Sequence, residues 1–320
     1  MTSAKATLSL VVGAAVPYGL ADRGGLGGSL GYPVAIVGER IGVANLSWAE
    51  WQSTQGGPLN SAKVASLTAT IKAANAQGIT INARPWVAAA SDSPQFVQDA
   101  VGTWAWTDAS GSGGGSTQVW KPAWAPLYAD FITKLAAEFD GAFGAFGMTA
   151  GSGFYDEPFW LSQSSADQAQ LVALGFTNAA WQATMEAGID AHRAWKLTPT
   201  EMTFDVPWTY SGGKWAKDEA FMAAVFGYAT STLPRQIAGN HSMTATENLS
   251  AEPYPTLLGW WKAGGDVYIQ TATAAKIGDL ATTVQNCLAV GACWVELPSG
   301  VTPTPAQITQ WTAALLANRH

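Results

Sequence analysis

The stretch Ser61-Ala-Lys-Val-Ala-Ser-Leu-Thr-Ala-Thr-Ile-Lys-Ala-Ala-Asn-Ala-Gln-Gly78, running directly into Ile79-Thr-Ile-Asn-Ala-Arg-Pro-Trp86, decides the fold. Its first part opens on a capping Ser, carries apolar residues at helical spacing and stops at Gly78, which predicts a helix. Its second part sets Ile79, Ile81 and Ala83 on one face and Thr80, Asn82, Arg84 and Trp86 on the other, which predicts a strand. The alternation recurs along the chain. Eight strand candidates stand out: Leu8 to Val16, Arg40 to Leu46, Ile79 to Trp86, Phe143 to Met148, Met202 to Trp208, Arg235 to Asn240, Asp266 to Thr271 and Ala292 to Leu297. Repeated βα units predict an α/β protein with a parallel sheet under helices. Eight of them in 320 residues predict a single (β/α)8 (TIM) barrel domain over 1–320 with long βα loops. An open doubly wound sheet is the alternative. In a barrel the polar strand positions point inward, so Thr80, Asn82, Arg84, Tyr268, Gln270, Trp294 and Glu296 face the axis, and Cys293 faces the helix carrying Cys287.

Composition narrows the partners. Hydrophobic residues make up 48% and charged residues 12%, which excludes a disordered or polyelectrolyte chain and implies a large core. With 16 Lys+Arg against 23 Asp+Glu, the net charge of -7 offers no footprint for nucleic acid or anionic lipid, so a neutral ligand fits better. No apolar run reaches the ~20 residues of a membrane span, so no membrane insertion is expected. Lys5 and the apolar run after it resemble a short signal peptide but lack a small-x-small cleavage site; we read the run as a strand, with export left open. The expected setting is soluble, extracellular or virion-associated. Cys287 and Cys293 read as buried thiols, and the Asn-x-Ser/Thr triplets at Asn45, Asn240 and Asn248 as chance. Sixteen tryptophans suggest flat apolar faces for sugar rings, or else core packing.

Two stretches break the alternation: Ala21 to Pro33, and Thr103 to Pro126, where Trp104, Trp106, Trp120 and Trp124 flank Ser110-Gly-Ser-Gly-Gly-Gly-Ser116. The second is expected to wall the mouth of the barrel and to expose at least one indole in a cleft. Gly27-Gly-Ser-Leu-Gly31 matches a hydrolase nucleophile elbow as a string but lacks the strand and helix around it. The same region lacks the third glycine of a dinucleotide fingerprint. With only His192, His241 and His320 no His-rich zinc site assembles, although acidic residues could hold Ca²⁺. No cofactor and no metal are expected.

The run Lys121-Pro-Ala-Trp-Ala-Pro-Leu-Tyr-Ala-Asp130, continuing through Phe139-Asp-Gly141 into Phe143-Gly-Ala-Phe-Gly-Met-Thr-Ala-Gly-Ser-Gly-Phe-Tyr-Asp-Glu157, resembles the third helix and fourth strand of (β/α)8 glycoside hydrolases. The likeness is to β-galactosidase-like and related clan A barrels. A second echo covers Tyr268-Ile-Gln270 and Leu288-Ala-Val-Gly-Ala-Cys-Trp-Val-Glu296. The resemblance implies that Glu157, after the fourth strand, is the acid/base. The chain departs from the pattern in two places. It has Tyr155-Asp156-Glu157 where the family has Asn-Glu, and Gln270 where retaining members carry a nucleophilic carboxylate at the end of strand seven.

Glycosidic hydrolysis needs two carboxyls about 5 to 9.5 Å apart. Glu157 and Glu296 are the expected catalytic pair, Glu296 because an unpaired carboxylate inside Cys-Trp-Val-Glu-Leu-Pro would be costly without a role. Asp205 and Glu247 are alternative partners for Glu157, and Glu296 could instead pair with Arg84. Asp156, Arg84, Trp86, Asp205, Trp208, Asn240, His241, Tyr268 and Gln270 are the expected saccharide contacts. The reading is a glycoside hydrolase acting on a neutral or weakly charged saccharide. A barrel that binds glycan without cleaving it, as in cell-surface recognition or a phage tail, is the alternative. The Ala/Gly/Thr/Trp-rich, low-charge composition resembles proteins of high-GC actinobacteria and their phages, which implies a bacterial cell-wall glycan as ligand. The chain carries no signature of its oligomeric state.

Overall fold

The computed structural model describes residues 16–22, 40–107, 113–150, 157–159, 161 and 164–320. In chain order its strands are β1 (Gly19–Asp22), β2 (Arg40–Ser47), β3 (Ile79–Trp86), β4 (Thr103–Thr107), β5 (Gly113–Thr117), β6 (Ala145–Gly147), β7 (Thr200–Thr203), β8 (Trp208–Ser211), β9 (Lys214–Lys217), β10 (Gln236–Met243), β11 (Asp266–Thr271) and β12 (Ala292–Leu297). Eight of them close a barrel in the order β1-β12-β11-β10-β7-β6-β3-β2, and the remaining four form two separate hairpins, β4-β5 and β8-β9. Every pairing round the barrel is parallel, and β1 closes it by pairing both β12 and β2. The longer helices are α2 (Ser61–Asn75), α4 (Trp124–Phe139), α6 (Asn178–His192), α7 (Glu219–Thr232), α9 (Leu280–Ala289) and α10 (Pro305–Ala317); the shorter are α1 (Trp48–Trp51), α3 (Gln95–Val101), α5 (Ser165–Ala173) and α8 (Tyr254–Lys262). None of the described helices is long and apolar enough to cross a membrane.

The alternation read in β3 sorts the core. Ile79, Ile81 and Ala83 join the outer core with helix residues such as Leu67 and Ile71 of α2. Asn82 and Arg84 are buried inside the barrel. A Cβ placed on Gly144 would meet Thr80 Cγ2 at 2.4 Å and Asn82 Oδ1 at 2.8 Å, so glycine there gives the inward side chains their room. A second, smaller cluster of Val16, Ala21, Ala145, Ile237, Tyr268, Cys293 and Trp294 fills the barrel interior. In it the rings of Tyr268 and Trp294 stack at 4.6 Å.

Several sequence expectations are corrected. The first barrel strand is Gly19–Asp22; Leu8 to Ala15 lies outside the described residues, and Val16 precedes the strand. Hydropathy favoured the longer apolar run, whereas closure uses a short strand with Leu20 in the outer core and Ala21 in the interior. The fifth strand starts at Thr200 and ends at Thr203, short of Pro207, whose missing N–H bars the ladder from continuing to Trp208. Trp208 instead opens the β8-β9 hairpin, whose turn residues Gly212 and Gly213 both have positive φ, 59° and 82°. Cys293 does not face α9. The register of β11 against β12 shifts so that Val267 pairs Ala292 and Tyr268 pairs Trp294, leaving Cys293 as the extra residue, with its thiol 3.2 Å from the Val267 carbonyl in the inner cluster. Both cysteines are free and buried, and desolvation pushes both thiols up.

Two glycines test this packing. A Cβ on Gly239 of β10 would sit 2.2 Å from the Tyr268 ring, which the Trp294 stack holds in place, whereas one on Gly227, inside α7, meets nothing within 4 Å. Gly239→Ala should cost about 1–3 kcal/mol through overpacking. Gly227→Ala should gain roughly 0.5–1 kcal/mol of helix stability. Urea unfolding of the two variants measures both.

Candidate active site

A pocket opens at the carboxyl ends of β7 and β10, the face on which barrel loops build their sites. It is lined by Glu157, Phe159 and Leu161 from the connection after β6, by Thr203 and the segment Asp205-Val206-Pro207-Trp208, and by Asn240, His241 and Ser242 of β10. Local backbone geometry aims His241. Asn240 pairs Ile269 and Met243 pairs Thr271, so β10 holds one extra residue there, and Ser242 takes a left-handed φ of 66°. Such a bulge re-aims a side chain at the cost of modest strain. Asn240 turns away from the axis, donating from Nδ2 to the Phe204 carbonyl at 2.8 Å and accepting from Tyr254 Oη at 3.3 Å. His241 turns in. Its Nε2 lies 2.9 Å from Thr203 Oγ1 and its Nδ1 2.8 Å from Glu157 Oε1. Thr203 Oγ1 is in turn hydrogen-bonded to Tyr268 Oη.

Two carboxylates share this pocket. The Glu157 side chain is 30% exposed while His241 is 4% exposed. Asp205 is open to the pocket although it is set down among the strand ends. Desolvation in that setting raises its pKa, and the negative charge of Glu157 adds to the rise. The Val206 N–H, Lys217 and His241 oppose it. The balance is a raised pKa on a side chain that stands open to the pocket. Lys217 reaches this region because β9 pairs Trp208 with Lys217. The hairpin is gripped from α6: Asn178 Nδ2 donates to the Tyr210 carbonyl and Asn178 Oδ1 accepts from the Tyr210 N–H.

Glu296 does not line the pocket. It is fully buried and accepts from Arg84 Nη2 at 2.6 Å and from Gln270 Nε2 at 2.7 Å. Arg84 also donates from Nε to Glu201 Oε1 at 2.9 Å. One guanidinium therefore ties β3, β7 and β12 inside the barrel, with both carboxylate partners desolvated. Glu201 was not singled out from sequence, because the fifth strand was read as starting one residue after it; shared parity with Thr203 is the signal that would have found it. Gly147 makes room for this pair, since a Cβ there would stand 3.1 Å from Arg84 Cγ.

The sequence-predicted contacts therefore divide. Glu157, Asp205, Trp208, Asn240 and His241 line the pocket, and Tyr268 stands behind it through Thr203. Arg84 and Gln270 belong to the buried ion network, Trp86 is half-buried at the end of β3 outside the lining, and Asp156 lies outside the described residues. The expected exposed indole of Thr103 to Pro126 is overturned. Trp104, Trp106, Trp120 and Trp124 are all buried. The segment folds into the β4-β5 hairpin, Trp106 Nε1 donates to Ser116 Oγ, and Trp120 packs edge-on against Trp104 and Phe176. Most of the tryptophan excess serves packing: Trp48, Trp181, Trp195, Trp294 and Trp311 are also buried. Among the described residues no group of three or more His, Cys, Asp or Glu side chains could hold a metal ion.

No protein-family model matches the chain, and no curated protein matches it in sequence. Solved structures do resemble it. The catalytic domain of a beta-amylase from Paenibacillus polymyxa superposes with a TM-score of 0.50 at 10% identity, covering 81% of this chain and 85% of that one. An endo-beta-1,4-glucanase from Xanthomonas axonopodis pv. citri gives 0.49 at 13% identity, covering 88% and 87%. A glycoside hydrolase family 5 enzyme from Prevotella bryantii B14 gives 0.43 at 12% identity, covering 95% and 96%. By name these three are a beta-amylase, an endoglucanase and a glycoside hydrolase. At these identities the likeness is one of fold.

Two outcomes follow from the charges. Removing Arg84 takes the shared cation from two buried carboxylates, so Arg84→Met should cost about 3–5 kcal/mol in denaturant unfolding. Asp205 behaves oppositely. Its raised pKa means the fold's advantage from this group is complete below the ordinary Asp range and is lost as pH rises through the raised value. Asp205→Asn should therefore match the wild type in acid and become relatively more stable towards neutral pH, as thermal melts across that range will read.

Proposed function

We propose that this barrel hydrolyses a glycosidic bond in a neutral or weakly charged saccharide, with Asp205 as general acid and Glu157 as the second carboxylate. The observation that carries the reading is the sharing of one accessible pocket by two acids in opposed surroundings. Asp205 is pushed towards its protonated form, while Glu157 sits against a ring nitrogen of His241. Pairs of carboxyls whose environments separate them in this way divide the roles of acid and base. Asp205 would protonate the leaving oxygen. Glu157 would attack the anomeric carbon or take the proton of an attacking water, and the anomeric configuration of the first product distinguishes the two. The pairing differs from the one the sequence suggested, since Glu296 is engaged by Arg84 and Gln270.

The described lining contains two acids and no Lys or Arg, which favours a neutral substrate. A polyanionic glycan would meet repulsion there, whereas hydroxyls find Thr203, Ser242 and the acids as partners. Trp208, half-buried at the rim, offers an apolar face to a sugar ring. The alternative reading, a glycan binder without turnover, draws on Gln270, which stands on β11 where retaining relatives carry a carboxylate.

Reducing-end release from a panel of neutral α- and β-glucans and of actinobacterial wall glycan separates the readings. Glu157→Gln and Asp205→Asn should each lower turnover by roughly 10²–10⁴-fold with binding to the same glycan, measured by calorimetry, nearly unchanged. Binding without turnover by the wild-type chain would establish the second reading, and unchanged hydrolysis in either variant would remove that residue from the mechanism.

A further inference from the structure

The groups around His241 form a line. Tyr268 Oη bonds Thr203 Oγ1, Thr203 Oγ1 lies 2.9 Å from His241 Nε2, and His241 Nδ1 lies 2.8 Å from Glu157 Oε1. Tyr268, Thr203 and His241 are buried, while Glu157 alone reaches the pocket surface. With a neutral imidazole, the close approach of Glu157 fixes the arrangement. A carboxylate only accepts, so Nδ1 must carry the ring hydrogen and Nε2 must accept. Thr203 then donates to Nε2, and its oxygen accepts from Tyr268. Both hydrogen bonds and the Nδ1–Glu157 contact point the same way, towards Glu157.

We infer that Tyr268 and Thr203 are positioning residues that fix His241 as its Nδ1–H tautomer, and that His241 thereby holds one oxygen of Glu157 and leaves the other free for the reacting centre. This rests on the reading of Glu157 as the second carboxylate. The backbone supports it independently. The extra residue in β10, with Ser242 in the left-handed region, is what turns His241 inward after the outward Asn240. Strain maintained at such a place is consistent with a required side-chain direction. Among the described residues the charged and titratable groups near the line are Asp205, which follows β7, and Lys217 of β9; Tyr254 and Glu247 lie on the Asp205 side, and Tyr268 closes the inner end. Thr203 is the nearer partner of Nε2, at 2.9 Å against 3.4 Å for Tyr268 Oη, and Tyr268→Phe removes the second hydroxyl from that nitrogen.

The test uses the whole protein and a readout that does not need turnover. The chain has three histidines, so ring ¹⁵N resonances are few, and His241→Asn identifies the one in question. The wild type should show Nδ1 protonated and Nε2 as acceptor. Thr203→Val removes the donor at constant shape and should mix or invert the tautomers, Thr203→Ser should retain the wild-type pattern, and Tyr268→Phe, which keeps the stack on Trp294, should weaken it. On a hydrolysed glycan, Thr203→Val should lower kcat about tenfold with KM nearly unchanged. Thr203→Ser should recover both the tautomer pattern and kcat. An Nε2–H tautomer in the wild type, or ring signals unchanged in Thr203→Val, overturns the inference whatever the activity. The expected tautomers in a chain that hydrolyses no glycan would uphold the hydrogen-bond line and overturn the proposed reaction alone.

Discussion

The interior of this barrel is organised round one guanidinium. Arg84 on β3 spans the axis to Glu201 on β7 and Glu296 on β12, and Gln270 on β11 donates to Glu296 as well. Burying two carboxylates is expensive, and one cation offsets only part of that cost unless further donors are supplied. The amide of Gln270 is such a donor, and so its presence on β11 has a structural reason whatever chemistry occurs above it. The network also fixes geometry. Register along these strands decides which residues emerge at the carboxyl end, and Thr203 follows Glu201 on the same face of β7. The pocket thus inherits its placement from a charge cluster beneath it.

Above that cluster the two acids are distinguished by surroundings alone. Asp205 sits where the chain leaves β7, crowded by strand ends and by Pro207, whereas Glu157 arrives on a long connection and meets His241. A single fold feature underlies both, the shortness of β7, which ends at Thr203 and releases Phe204 to Pro207 as an irregular segment over the barrel mouth. Had the strand continued to Trp208, Asp205 would have shared the inward parity of Glu201 and Thr203 within the ladder. Because it does not, Asp205 is open to solvent.

Much of the barrel was legible because periodicity reports burial directly. The bounds of β3, β11 and β12 match their apolar alternation, and Asn82 and Arg84 point inward as parity requires. The first strand was misplaced because hydropathy ranks an apolar run above the short Gly19–Asp22 segment that closes the sheet. The tryptophans misled for a related reason: an indole stacks equally well on a sugar or on another ring, and here Trp124 stacks on Tyr128 at 4.6 Å and Phe146 on Trp195 at 4.2 Å. Composition cannot separate those uses. Glu157, Asp205 and His241 were all legible as candidates, and so was the pairing of Glu296 with Arg84; which use of Glu296 holds depended on a distance across the barrel that periodicity does not report.

The β8-β9 hairpin carries a consequence for how this barrel diversifies. It contributes Trp208 and Lys217 to the pocket side, and it is joined to the scaffold by Asn178 on its flank and by Thr209 Oγ1 donating to Asp218 at its base, while its two-glycine turn forms the tip. None of those ties involves Arg84, Glu201 or Glu296. The tip can therefore vary in length and chemistry while the histidine and the charge cluster stay in register, whereas Trp208 and Lys217 at the base stay coupled to the pocket and to Asp205.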